Sequence, residues 1–246
     1  MLSGLVQVSV SIIDSHDGLC EVIDALMNSP VTPPSIYIDL EGINLGRDGR
    51  ISIIQLFLYP QHHVHLIDVH TLGATAFNHA TNTGTTLRSI LELFMMPKVF
   101  FDVPNDSAAM FHQHQAELAG VHDLQVMEVG TRAHPGKYLA GLGKCISRDI
   151  EKTLFSPQHG GSFEVFELRP LPEAIVQYCV QDVLLLPKLW HIYNPALTPA
   201  SREKVEAEVK NRFRHSQSPR FIGKGSHMVL APQLWETAPE CPSSWL

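Results

Sequence analysis

The spacing of apolar residues predicts a mixture of strands and helices along the whole chain. We assign strands where apolar residues alternate with polar ones or run continuously, and helices where they recur every three or four positions. The predicted strands are residues 6–13, 35–41, 50–59, 64–69 and 98–103, and the predicted helices are residues 19–27, 85–96, 105–118, 138–150, 170–189 and 200–215. For residues 121–129 the pattern allows two predictions, a short strand or a junction between a strand and a helix. The three consecutive strands in residues 35–69 predict an antiparallel meander.

Two acidic residues interrupt the apolar strand at residues 35–41. Side chains alternate across a strand, so Asp39 and Glu41 are expected to project from the same face, while Ile38 and Leu40 face the other way. Two buried carboxylates repel each other unless a cation lies between them or one takes up a proton. An exposed strand end with two solvated acids is the alternative that this fragment leaves open.

Size and composition narrow the class of protein. The chain has 246 residues, of which 44% are hydrophobic, so it can form one large domain or one domain with an extended terminal segment. No apolar run approaches the roughly 20 residues that span a bilayer, and the first ten residues lack the features of a signal peptide. We therefore expect an intracellular protein, cytoplasmic or nuclear, that is not secreted and has no membrane partner. The four cysteines are scattered, which indicates neither a disulfide framework nor a thiolate zinc site.

Two further stretches carry acidic residues, one at the start of a predicted helix and one within a predicted helix. Asp106 is predicted at a junction between a strand and a helix, and Tyr178 and Asp182 are one helical turn apart, so they share a face. The three stretches are Tyr37-Ile38-Asp39-Leu40-Glu41-Gly42, Lys98-Val99-Phe100-Phe101-Asp102-Val103-Pro104-Asn105-Asp106 and Tyr178-Cys179-Val180-Gln181-Asp182. In that order they resemble the motifs of the DEDD superfamily of 3′–5′ exonucleases.

The resemblance covers roughly residues 5–195 and is closest to the Egalitarian-like eukaryotic exonuclease-domain proteins. The spacing of Tyr178 and Asp182 is that of the tyrosine branch, to which ribonuclease D belongs. The chain departs from its relatives at Phe101 and Pro104, where His and Arg are common, and these departures concern substrate contacts more than metal binding.

The family implies an α/β, ribonuclease H-like fold. Its mixed sheet of five to six strands combines an antiparallel meander with parallel strands and is flanked by helices. This fold would occupy residues 1–195 as the exonuclease domain. Residues 196–246 would form a C-terminal helix and a tail with Pro and Ser, packed on the domain or extending from it.

The family also implies a site with two divalent metal ions, Mg²⁺ or Mn²⁺, for which carboxylate oxygens are suitable ligands. By resemblance, Asp39 would bridge the metals, Glu41 and Asp182 would complete one of them, and Asp106 would hold the other through water. Tyr178 would orient the attacking water.

The implied substrate is single-stranded RNA or DNA with a free 3′ end, hydrolysed to nucleoside 5′-monophosphates, and no protein partner is indicated. The loop that follows Glu41 begins with Gly42, Ile43, Asn44 and Leu45, and we expect it to approach the terminal nucleotide, although a flexible hairpin connection is the alternative. Asn105 is expected to contact substrate or to cap the helix after it, and capping is the favoured role. A catalytically weak RNA-binding adaptor that keeps the fold is the alternative function.

The distribution of charge gives a separate prediction. The chain carries a formal charge of −7, yet residues 201–224 contain seven Lys or Arg against three Glu. This segment is either a basic patch for a polyanion or the solvated face of an amphipathic helix. The first reading predicts that neutralising Arg212 and Arg214 weakens binding of nucleic acid.

Overall fold

The protein is built on one mixed β-sheet. A computed structural model describes residues 8–134, 136–150 and 163–232. The strands of this part are β1 (Ser9–Ile13), β2 (Ile36–Ile43), β3 (Arg50–Leu58), β4 (His63–Asp68), β5 (Lys98–Phe100) and β6 (Val121–Asp123). They form a six-stranded sheet in the order β1-β4-β3-β2-β5-β6. Strands β2, β3 and β4 pair antiparallel, and β1, β5 and β6 join in parallel. The predicted meander and mixed sheet are confirmed.

Helices cover both faces of the sheet. They are α1 (His16–Met27), α2 (Val69–Leu72), α3 (Thr75–Asn78), α4 (Leu87–Glu92), α5 (Pro104–His114), α6 (Leu124–Thr131), α7 (Leu142–Asp149), α8 (Glu173–Leu184), α9 (Leu186–Ala196) and α10 (Pro199–Ser216). Alternate residues of β2 enter different apolar clusters: Tyr37 packs with residues of α6 to α10, and Ile38 packs with residues of α1 to α5. Since Asp39 and Glu41 share the parity of Tyr37, they face the side on which α8 crosses β2 and β3.

The predicted helix at residues 170–189 is two helices. Helix α8 ends at Leu184, and α9 begins at Leu186 with Pro187 in its first turn. Proline has no backbone N–H and is tolerated in the first turn of a helix, so it marks a new start rather than a kinked end. The ambiguous residues 121–129 are β6 followed directly by α6.

The expected capping role of Asn105 is wrong. Helix α5 begins at Pro104 and has no side-chain cap. Instead, the carboxylate of Asp123 at the end of β6 accepts the N–H groups of Asp102 at 3.1 Å and Val103 at 3.4 Å. A side chain from a neighbouring strand therefore holds the backbone just before α5.

Helix α10 is part of the core. It packs against α5 and α6, and its buried residues Val205, Val209, Arg212 and Ser216 recur every three or four positions. The expectation that Arg212 belongs to a nucleic-acid patch is wrong, because this side chain is 8% exposed and pairs with the fully buried Asp123 at 2.7 Å. Arg214 is exposed. Residues 233–246 of the expected tail lie outside the described residues.

A membrane-spanning segment is missing from the described helices. None of them has the length and apolar character needed to cross a bilayer.

Candidate active site

Strand β2 and helix α8 bring three carboxylates together. One oxygen each from Asp39, Glu41 and Asp182 lies within 4.8 Å of the others. Tyr178, one turn before Asp182, hydrogen-bonds to Glu41 with its hydroxyl. The local spacing of each pair and the packing of α8 across β2 together produce this cluster.

A β-bulge ends the regular pairing of β2 at the cluster. The register with β3 shifts between Glu41 and Gly42. A Cβ atom at position 42 would lie 2.0 Å from the carbonyl oxygen of Arg50, so only glycine fits here. Gly42 and Ile43 are still within β2, and their contact with substrate remains a prediction.

Asp106 reaches the cluster from another element. It lies in the first turn of α5, after β5, which is the parallel neighbour of β2. Its side chain is buried, and burial together with the charges of Asp39, Asp102 and Glu41 holds its pKa well above the ordinary range. Asp106 is not among the three residues whose oxygens lie within 4.8 Å of one another. Its carboxylate still interacts electrostatically with those of Asp39 and Glu41.

Burial and mutual repulsion shift the cluster's ionisation. Burial is the main cause that raises the pKa of Asp39 to about 7, of Glu41 to about 9 and of Asp182 to about 8. The charge of Asp39 raises the pKa of both neighbours further, while a hydrogen bond from Tyr178 lowers the pKa of Glu41 and of Asp182. Without a cation, the cluster therefore holds protons near neutral pH.

The donor set fits a divalent metal ion. All three close ligand atoms are carboxylate oxygens, the type that Mg²⁺ and Mn²⁺ prefer. The buried Oδ2 atom of Asp182 has no hydrogen-bond partner among the described residues. A buried carboxylate oxygen without a partner is costly, and a cation between the acids would satisfy it.

A cavity of about 410 Å³ opens on the cluster, and we call it the first cavity. Asp39, Tyr178 and Asp182 lie on its polar side. Its apolar lining includes Phe101 and Leu142. The departure from the family at Phe101 thus places an aromatic ring beside the carboxylates.

Sequence reasoning missed Asp102 as a site residue. Asp102 lines the first cavity with Asp39 and adopts a left-handed backbone conformation with φ of 62°. Burial and the charge of Asp123 raise its pKa to about 6, and Arg212, 3.5 Å away, opposes this shift. The sequence did contain a signal for Asp102, because it is an acid just after β5, and β5 is the parallel neighbour of the strand that carries Asp39.

The remaining predicted substrate residues lie around a second cavity of about 440 Å³. Asn44, Leu45 and Asn105 line it together. The structure therefore brings three of the five predicted substrate residues to one place.

The raised pKa values predict an unusual pH dependence of stability for the metal-free protein. These acids ionise near pH 4 when unfolded, so between about pH 4 and pH 9 the folded state binds more protons than the unfolded state. The contribution of the cluster to stability is therefore lost as pH rises. We expect the Tm in EDTA to fall from pH 5 to pH 8, and Mg²⁺ to raise it more at pH 8 than at pH 5.

Asp182→Asn removes one of these ionisations and should flatten the fall in Tm and reduce the effect of Mg²⁺. Asp14→Asn, at an exposed acid between β1 and α1, serves as the matched control. Equal pH slopes for the parent protein and Asp182→Asn would contradict the prediction. Thermal unfolding followed by circular dichroism measures the Tm of each protein at pH 5 and pH 8, in EDTA and in Mg²⁺.

Comparisons with known proteins agree with this architecture. The sequence profile of the 3′–5′ exonuclease family matches residues 10–198. Among functionally curated proteins, no sequence matches the chain significantly.

Solved structures share the fold at low sequence identity. RNase D from Trypanosoma brucei in complex with RNA U12 is 21% identical, with a TM-score of 0.75 over 94% of this chain and 78% of that one. RNase D from Escherichia coli is 17% identical, with a TM-score of 0.64 over 85% of this chain and 51% of that one. NrnC from Brucella melitensis with bound Mg²⁺ is 17% identical, with a TM-score of 0.60 over 89% of this chain and all of that one (100%).

These likenesses confirm the predicted ribonuclease H-like fold. The family profile covers more than half of the chain and includes β2, β5 and α8, on which the acids lie. The chain therefore belongs to the 3′–5′ exonuclease family and shares its fold with ribonuclease D.

Proposed function

We propose that this protein is a metal-dependent exonuclease of the tyrosine branch that removes nucleoside 5′-monophosphates from the 3′ end of single-stranded RNA. The observation that carries the proposal is the convergence of Asp39, Glu41 and Asp182, whose oxygens lie within 4.8 Å of one another. RNA is favoured as the substrate because RNase D from T. brucei, which shares the fold, forms a complex with RNA U12.

The four acids divide into two groups of ligands. Asp39, Glu41 and Asp182 would hold one Mg²⁺ or Mn²⁺, and Asp39 with Asp106 would hold a second. Bound divalent cations would supply positive charge against the phosphate oxygens and lower the pKa of water. The four acids would supply the negative charge that holds these cations beside the first cavity, which Asp39 and Asp182 line.

Tyr178 is an orienting group in this proposal. Burial and then the charges of Glu41, Asp182 and Asp39 raise the pKa of its hydroxyl well above the ordinary value. The hydroxyl therefore keeps its proton at neutral pH and is a poor base. It can direct a hydrogen bond to a carboxylate or to a water molecule in the first cavity, which suits positioning of the nucleophile.

The decisive test is the fate of a labelled strand. A 5′-labelled single-stranded RNA incubated with the protein and Mg²⁺ should give a ladder of progressively shorter products, and EDTA should abolish it. The same strand with a 3′-phosphate tests polarity, because a 3′–5′ enzyme that needs a free 3′ hydroxyl degrades it more slowly. Binding without any ladder, in both Mg²⁺ and Mn²⁺, would reject the proposal in favour of the RNA-binding adaptor.

A further inference from the structure

The chain continues past α10 as a segment that we call the strap, residues 217–231. It lies outside the residues matched by the family profile, which end at 198. One end of the strap contacts the loop after β2 and the start of α5: Lys224 Nζ donates to Asn44 Oδ1 at 3.1 Å, and Asn105 Nδ2 donates to the carbonyl of Gly223 at 3.2 Å. The Arg47 guanidinium also donates to the carbonyl of Pro219.

The other end of the strap reaches the segment before α7. The backbone N–H of Leu139 donates to the carbonyl of Val229, and the N–H of Ala231 donates to that of Lys137, both at 2.9 Å. Gly141 and Leu142, a few residues further on, line the first cavity. The strap therefore joins the loop after β2 to a segment that borders the first cavity.

The strap packs so closely on Asn105 at Gly223 that a larger residue there would force the Asn105 side chain or the strap to move. A Cβ atom at position 223 would lie 2.0 Å from Asn105 Oδ1. This same oxygen is buried and has no hydrogen-bond partner among the described residues. An unsatisfied acceptor is costly in a buried position, so the contact of the strap with Asn105 is strained rather than relaxed.

The second cavity lies between the strap and the loop after β2. Its lining includes Leu45, Arg47 and Asn105 on one side and Phe221 to Lys224 on the other. Asn44 follows Glu41 by three positions, and Asn105 directly precedes Asp106, whereas Asp39 and Asp102 line the first cavity. Glu41 thus lies along the chain between Asp39 of the first cavity and Asn44 of the second, and Asp106 directly follows Asn105 of the second. A strand whose scissile phosphate rests on the acids has a nucleotide on each side.

The chemistry of the second cavity suits a nucleotide. Lys224 is exposed and offers a cation at the rim for a phosphate, whereas Arg47 pairs with Asp48, which also lines the cavity, at 3.5 Å. Ile222 is 64% exposed beside Leu45, which offers an apolar contact to a base or sugar. The exposed cation of Lys224 is notable on a chain with a net charge of −7, because the acids of the site alone would repel a polyanion.

We propose that the strap is the outer wall of a second nucleotide subsite and that Lys224 neutralises a backbone phosphate of the bound single strand. The inference rests on the proposed exonuclease function and adds a substrate-binding element that lies beyond the family domain. Gly223 is a positioning residue that lets the strap close on Asn105.

Binding of RNA tests the proposal without hydrolysis. A fluorescent single-stranded oligouridylate is titrated in Mg²⁺ onto Asp182→Asn, onto Asp182→Asn/Lys224→Ala and onto Asp182→Asn/Lys210→Ala. Lys210 is an exposed lysine of α10 that lines neither cavity, so it is the matched control. Lys224→Ala should weaken binding about five- to tenfold at low salt and reduce the slope of log K against log salt by about 0.7. Equal affinities and slopes for the two lysine variants would overturn the proposal.

Gly223→Ala gives an independent result on the same proposal. The added methyl group should move either the Asn105 side chain or the strap, both of which line the second cavity, and so weaken RNA binding while leaving the Mg²⁺-dependent rise in Tm intact. RNA affinity equal to that of the parent, in a protein that still melts cooperatively, would also overturn the role of the strap.

Hydrolysis separates this inference from the proposed function. The p-nitrophenyl ester of thymidine 5′-monophosphate has one nucleotide and can fill one subsite. Lys210→Ala should hydrolyse this ester and RNA like the parent protein, whereas Lys224→Ala should show a KM for RNA raised about five- to tenfold. A parent that hydrolyses neither substrate refutes the exonuclease function, whereas hydrolysis of both with the same KM for Lys224→Ala and Lys210→Ala refutes the strap alone.

Discussion

Asp39→Asn should lower kcat for RNA hydrolysis by on the order of 10³-fold, the largest loss expected from any single substitution in this protein. Asp39 is the carboxylate whose charge acts on all the others, since it raises the pKa of Glu41, Asp182 and Asp106. Asparagine keeps the shape of the side chain but removes the charge that the proposed cations need. Single-turnover hydrolysis of the labelled strand measures the loss.

Two comparisons make this result specific. Asp14→Asn, at an exposed acid far along the chain from the cluster, should keep the parental rate. Tyr178→Phe should cost less, about 10²-fold in kcat, because it removes an orienting hydroxyl and leaves the ligand set complete. A parental rate for Asp39→Asn would show that the carboxylate cluster is not the site of hydrolysis.

Arg212→Met should destabilise the protein by about 3–5 kcal/mol, the largest effect on stability that we expect. The Arg212 guanidinium is buried and donates to Asp123 Oδ2 at 2.7 Å and to Gln125 Oε1 at 3.0 Å. Removing it leaves the fully buried Asp123 without its cation. Urea unfolding of the parent and variant measures the change, and the midpoint should fall with the slope unchanged.

Arg214→Met is the matched control, because this arginine is on the same helix but exposed. It should change the free energy of unfolding by no more than about 0.5 kcal/mol. Asp123 also accepts the N–H groups of Asp102 and Val103, just before Asp106, so Arg212→Met should lower activity as well. Equal stabilities for the two arginine variants would contradict the role assigned to the buried pair.

The contrast between these two arginines shows where charge counting along a sequence fails. Seven basic residues in residues 201–224 indicated a patch, yet one of them serves an internal ion pair. The apolar spacing of Val205 and Val209 marks the buried face of α10, and Arg212 lies on that same face. The acid that makes its burial possible, Asp123, is 89 positions away in the chain.

Local periodicity was enough to predict the meander and the pairs of site residues. Asp39 and Glu41 share a face because a strand repeats every two residues, and Tyr178 and Asp182 share one because a helix repeats about every four. These relations are determined by backbone geometry within a few residues. The resemblance to the DEDD exonucleases then supplied the order of the motifs, and the family profile confirmed membership of the 3′–5′ exonuclease family over residues 10–198.

Only the tertiary structure decided which distant segments meet. The place of Asp102 beside Asp39, the pairing of Asp123 with Arg212, and the contact of Gly223 with Asn105 all join residues far apart in sequence. Such contacts depend on strand order in the sheet and on how α10 packs on α5 and α6, and no local repeat encodes either. The sequence by itself thus determined which acids are present and which of them share a face of the same strand or helix. Packing of the whole chain decided which distant residues surround them.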